Sequence, residues 1–65
     1  MKLIDAFKEL NGQWTTKGWV IGMTNLNENQ YRDEMNMLIM EGKIKKEKCP
    51  WTDCDFRVIV LWKNN

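Results

Sequence analysis

Residues 31–44 read YRDEMNMLIMEGKI. Tyr31, Met35 and Leu38 recur at the spacing that lines one face of an α-helix. Gly42 follows, a residue suited to the left-handed turn that ends helices. Ile44 then opens an extended stretch rich in lysine. The segment predicts a helix that stops at a glycine and runs straight into a strand. Upstream, Asn27 is a good N-cap, and Gln30 stands where a capping box needs it. Glu28 suits the positive end of the helix dipole. The helix is expected over 28–41.

Working toward the N-terminus, Asn25 tolerates the left-handed conformation of a tight inter-helix turn. Residues 17–24, KGWVIGMT, carry two readings. Trp19, Val20, Ile21 and Met23 make a short buried helix, capped by Thr15 or Thr16. Gly18, Gly22 and the β-branched pair suit a strand equally well. The helix is preferred because a turn and a capped helix follow it. Gln13-Trp14-Thr15 is a short extended segment. Leu3, Ile4, Ala6, Phe7 and Leu10, with charged residues between them, predict a first helix over 2–11 ended by Asn11-Gly12.

Toward the C-terminus, Lys43 to Lys48 reads as a strand, CPWTDCD as a turn, and Phe56 to Trp62 as a second strand. Together they form a hairpin. Lys63-Asn64-Asn65 is expected to fray. Phe7, Trp14, Trp19, Phe56 and Trp62 are assigned to the core, with Tyr31, Met35, Leu38 and Ile39 from the third helix.

At 65 residues the chain is read as one domain, 1–65. A domain of this size buries only about 60% of its unfolded surface, and an enclosed substrate pocket would consume most of its core. There is no histidine, which removes the commonest general base and metal ligand. No nucleophile–base pair or glycine-rich phosphate loop appears. A non-enzyme without cofactor is expected. No apolar run approaches the roughly 20 residues of a membrane span, and the start shows no signal-peptide core, so the expected location is cytoplasmic.

The order of helix, short strand, helix, turn, helix and hairpin resembles the winged helix-turn-helix superfamily of small bacterial, archaeal and viral regulators. That family often closes its second helix and starts its third with L-A-x-x-L-G-L-S. The corresponding stretch here is Val20-Ile21-Gly22-Met23-Thr24-Asn25-Leu26-Asn27. Leu26 holds the apolar turn position, Asn25 replaces the usual glycine, and Asn27 replaces the serine cap. Thr24 departs from the apolar residue of the pattern. The resemblance implies an α+β fold, α1-β1-α2-α3-β2-β3, with the hairpin as a wing. The wing GKIKKEKCPWTD is similar to the hairpin of the family that binds Z-form nucleic acid. That family uses an asparagine and a tyrosine on helix 3. Arg32 and Asn36 stand there in this chain, so its activity is not carried over.

On this fold the face of helix 3 opposite the core shows Asn29, Gln30, Arg32, Asp33 and Asn36. Asparagine and glutamine pair with adenine edges and arginine with guanine; the bland alternative is a solvated helix face. Lys43, Lys45, Lys46 and Lys48, with Arg57 on the opposing strand, are candidates for phosphate contacts. They also read as lysines that protect a sheet edge from aggregation. Lys17 stands near the start of helix 2, within reach of a phosphate. Against nucleic-acid binding, Glu28, Asp33, Glu34 and Glu41 outnumber the single base Arg32 along this helix.

Cys49 and Cys54 flank the wing turn as reduced thiols, a disulfide, or half of a metal site shared between chains. Trp51 between them is either a binding anchor or a cover for the hairpin.

The leading expectation is a small transcriptional regulator binding double-stranded DNA, as a homodimer because one module buries little surface. A phage or mobile element suits its size. The alternative is a protein-interaction module engaging a host protein through Met37, Met40 and Trp51.

Overall fold

The computed structural model describes residues 1–61. Three helices pack on one face of a three-stranded antiparallel sheet. The elements are α1 (Leu3–Glu9), β1 (Thr15–Thr16), α2 (Lys17–Thr24), α3 (Glu28–Met40), β2 (Ile44–Lys48) and β3 (Asp55–Val60). This is the winged-helix layout, and residues 17–24 are the helix of the two readings. The expected contribution of Trp62 to the core, and the expected frayed end, lie outside the described residues.

The strand order is β1-β3-β2. β3 is central, pairing Phe56 with Thr15 on one side and with Lys48 on the other. Its alternation decides which residues enter the core. Phe56, Val58 and Val60 are buried, whereas Asp55, Arg57 and Ile59 turn to the face without helices. Leu3 and Phe7 from α1, Val20 from α2, Tyr31 and Met35 from α3, and Ile44 from β2 complete the core. Fully buried side chains such as Leu3 and Phe7 each contribute about 1.5–3 kcal/mol through apolar area removed from water.

The helix ends follow the local chemistry of their residues. Thr16 Oγ1 accepts the Trp19 backbone N–H at 3.2 Å and caps α2. Asn25 takes the left-handed conformation with φ +58°. At α3, Gln30 N–H donates to Asn27 Oδ1 at 2.8 Å, and Asn27 N–H donates to Gln30 Oε1 at 3.1 Å, closing the capping box. Its C-terminus closes at Gly42, φ +71°. There the Gly42 and Lys43 N–H groups return to the carbonyls of Ile39 and Leu38, both at 3.0 Å. That pair of bonds is the Schellman arrangement, and it turns the chain directly into β2.

Asn11-Gly12 does more than end α1. Gly12 N–H donates to the Val58 carbonyl and Asn11 Oδ1 accepts from Val60 N–H, both at 2.9 Å. These bonds hold the end of α1 against the central strand.

Several expected core positions are corrected. Trp14 and Trp19 are exposed, because α2 buries Val20 and Thr24, one turn apart, and leaves Trp19 on its other side. Trp14 precedes the buried Thr15 and so falls on the opposite side of the sheet. Ile39 is also exposed: it lies off the arc of Tyr31, Met35 and Leu38. Thr24 departs from the apolar family pattern and is nevertheless buried. Its hydroxyl donates to the Val20 carbonyl at 2.9 Å, so burial leaves no orphaned donor. The first helix is shorter than 2–11, with Leu10 as its C-cap.

Candidate nucleic-acid interface

The capping box sets the rotation of α3, and burial of Tyr31 and Met35 fixes which side points outward. Asn29, Arg32 and Asn36 line a groove of about 310 Å³ between α3, the start of α2 and β2, together with Lys17 and Lys46. A second depression shares Lys17, Tyr31 and Lys46 and extends along the wing to Lys48, Asp53 and Asp55. Two lysines from two elements, Lys17 and Lys46, therefore border the polar face of α3, with Lys48 farther along the wing.

Three acids of α3 and its C-cap have partners. Lys17 Nζ lies 3.5 Å from Glu28 Oε1, and Arg32 Nε lies 3.5 Å from Asp33 Oδ1. Glu41 is 3.7 Å from Lys43 Nζ. All these groups are exposed, where an ion pair is worth about 0–1 kcal/mol. A phosphate oxygen can replace such a carboxylate at little cost.

The pleat divides the lysines of the wing. Lys46 and Lys48 share a face with Ile44, toward α3, and Lys46 Nζ rests 4.9 Å from the centre of the Phe56 ring. Lys43, ahead of the strand, reaches back to Glu41 at the end of α3, and Lys45 alternates to the helix-free face, so the structure brings neither into the groove. Lys45 lies 3.8 Å from Glu47 there. Arg57 belongs to that face as well. Its Nε donates to Glu47 Oε1 at 2.6 Å, and its guanidinium stacks 4.8 Å from the Trp14 ring centre. The hydrogen bond from Arg57, with its charge and that of Lys45, holds the Glu47 carboxyl below its ordinary pKa despite some desolvation. Arg57 is thus engaged inside the molecule. The sequence signal for this lock was the hairpin register, which sets Glu47 opposite Arg57.

Gln30 sits on the outward face, with its Oε1 occupied by the capping box and its amide donors left over. Met37 and Met40 project from the C-terminal half of α3, with Met40 86% exposed, beside Asp33 and Glu41. The ring of Trp51 meets Trp14 edge-on, with centroids 5.9 Å apart, and remains largely exposed.

Cys49 and Cys54 are free thiols, the first buried and the second exposed. Among the described residues no group of His, Cys, Asp or Glu is placed to hold a metal ion, and no helix is long and apolar enough to cross a membrane.

Tyr31 carries the most perturbed ionisation. Its hydroxyl is buried without a hydrogen-bond partner, and desolvation pushes its pKa from 10.0 to about 12. No family model, curated protein or solved structure matches the chain, so the interface is read from its own geometry.

Proposed function

We propose that this protein binds double-stranded DNA as a small transcriptional regulator of the winged helix-turn-helix kind, with α3 in the major groove. The observation that carries the reading is the convergence of Asn29, Arg32 and Asn36 with Lys17 and Lys46 along one groove. Arg32 suits the paired acceptors of guanine, and Asn29 and Asn36 suit the donor–acceptor edge of adenine. Lys17, Lys46 and Lys48 hold the flanking phosphates. A homodimer would read two half-sites about one helical turn apart.

The test is a titration with mixed-sequence duplex DNA at low and moderate salt. Affinity should fall steeply with salt, because each neutralised phosphate releases a counter-ion. Lys46→Glu should weaken binding to all sequences and reduce the salt slope by about one unit or more. Arg32→Ala should cost about 1–3 kcal/mol at one base position. Absence of binding at low salt overturns the reading.

Exposure of Met37 and Met40 beside two acids favours a second reading, a protein-interaction module using that end of α3. Soft exposed methionines adapt to apolar partners. Binding of this kind would survive salt that abolishes contact with DNA.

A further inference from the structure

All three tryptophans among the described residues stand at the surface: Trp14 is 38% exposed, Trp19 64% and Trp51 73%. Trp14 is held in place by Arg57 over its ring and by the edge of Trp51. Trp19 stands in the first turn of α2, whose N-terminus is pinned by Thr16. Between Trp14 and Trp19 lies a groove floored by Leu10 and Thr15 and bordered by Gln13, Thr16 and Asp55. It runs beside the sheet edge, away from the polar face of α3.

We propose that this groove binds a proline-rich peptide segment in the polyproline II conformation, with a basic residue of that segment against Asp55. The occupant follows from the chemistry of the walls. The Trp14 ring, held by Arg57 and Trp51, offers flat apolar surface at little entropic cost, with Trp19 as the opposite wall. A polyproline II chain is already ordered, and proline supplies carbonyl acceptors without N–H donors. The groove offers the complement: the indole N–H groups of Trp14 and Trp19 and the Gln13 side-chain amide make no hydrogen bond within the described protein, while the Gln13 backbone N–H donates to the Leu10 carbonyl. Recognition of such chains by aromatic-lined grooves is a general mode.

Charge and length decide against the other occupants. The lining holds one acid and no base, and the neighbouring cation, Arg57 over the Trp14 ring, is already bonded to Glu47, so Asp55 is the open charge of the groove and favours a lysine or arginine. Asp55 takes part in none of the ion pairs among the described residues. β1 is two residues long, too short to template an added strand. A second copy has a single proline, Pro50, and so offers no proline-rich run. The inference does not depend on DNA binding.

The experiment follows the indole N–H resonances of the isotopically labelled protein. Titrants are a short proline-rich peptide carrying arginine at one end, the same peptide with glutamate there, and oligothymidylate; a protein dilution series is added. The Trp14 and Trp19 indole signals should shift with the arginine peptide. Trp19→Ala should weaken its binding about tenfold or more, the loss typical of an anchoring aromatic. Asp55→Asn should erase the preference over the glutamate peptide. Both side chains reach the surface, and circular dichroism verifies that the variants fold. Indole signals that stay fixed, or binding unchanged in Trp19→Ala, overturn the proposal. So do shifts produced by oligothymidylate or by protein concentration alone.

Discussion

Tyr31 is where a single side chain has a measurable consequence for the whole molecule. It is the chain's only tyrosine, so phenolate absorbance reports on it alone. It is 6% exposed, and its folded pKa of about 12 exceeds the ordinary 10.0. Folding therefore favours the protonated phenol. The sign follows: this contribution is complete below pH 10 and is lost as pH rises toward 12. The loss is bounded by about 3 kcal/mol, at 1.36 kcal/mol per pKa unit. Alkaline titration should show phenolate appearing late in the folded protein and near pH 10 in denaturant. Tyr31→Phe removes a buried hydroxyl without a partner, so it should be neutral or stabilising near neutral pH, by up to about 1–3 kcal/mol. It should also flatten the decline of stability between pH 10 and 12 relative to the parent chain. A late phenolate signal in denaturant, or an unchanged alkaline decline in the variant, would contradict this account.

At the scale of elements, two glycines predict opposite outcomes. Gly22 lies in α2 at an ordinary helical φ, and a Cβ added there meets nothing within 4 Å. Gly22→Ala should stabilise the protein by about 0.5–1 kcal/mol, raising Tm by roughly 2–8 °C in a domain of this size. Gly42 holds φ +71° in the turn between α3 and β2. Gly42→Ala should cost about 1–2 kcal/mol for the left-handed conformation and lower Tm, as calorimetry would show. At the other end of α3, Asn27→Ala opens the capping box and should cost about 1 kcal/mol. These ends were legible because caps and glycine turns are short-range chemistry. The rotation of α2 was not, since KGWVIGMT has apolar residues on several sides and only packing against α1 and the sheet selects Val20.

For the whole molecule, the division of charge between two sheet faces is the feature to test. Lys46 borders the α3 groove and Lys48 the adjoining depression, whereas Lys45 and Arg57 lie on the helix-free face and Lys43 pairs with Glu41 at the end of α3. If DNA seats on α3, Lys46→Glu with Lys48→Glu should reduce affinity much more than Lys43→Glu with Lys45→Glu, although each pair changes net charge equally. The reduction should shrink as salt rises. Equal effects from the two pairs would show that total charge, rather than this groove, governs binding.

Local order was readable from residues 27–48 alone: a capped helix, a glycine stop and a strand, each specified by neighbours within a few positions. The run from Phe56 likewise announced a strand, but its apolar residues fall on both sides, and only packing against the helices made Phe56, Val58 and Val60 the inward set. Tertiary structure decided which of two plausible sides each remaining residue took. It turned Trp14 and Trp19 outward, drew Thr24 inward beneath its own helix bond to Val20, and tied Arg57 to Glu47 rather than leaving it free. It also gathered Lys17 and Lys46, distant in sequence, beside Arg32. The physical reason is range. Capping and pleating act over a turn of helix or a pair of residues, whereas burial and cross-strand pairing depend on which surfaces meet, and only the assembled sheet and helices fix that.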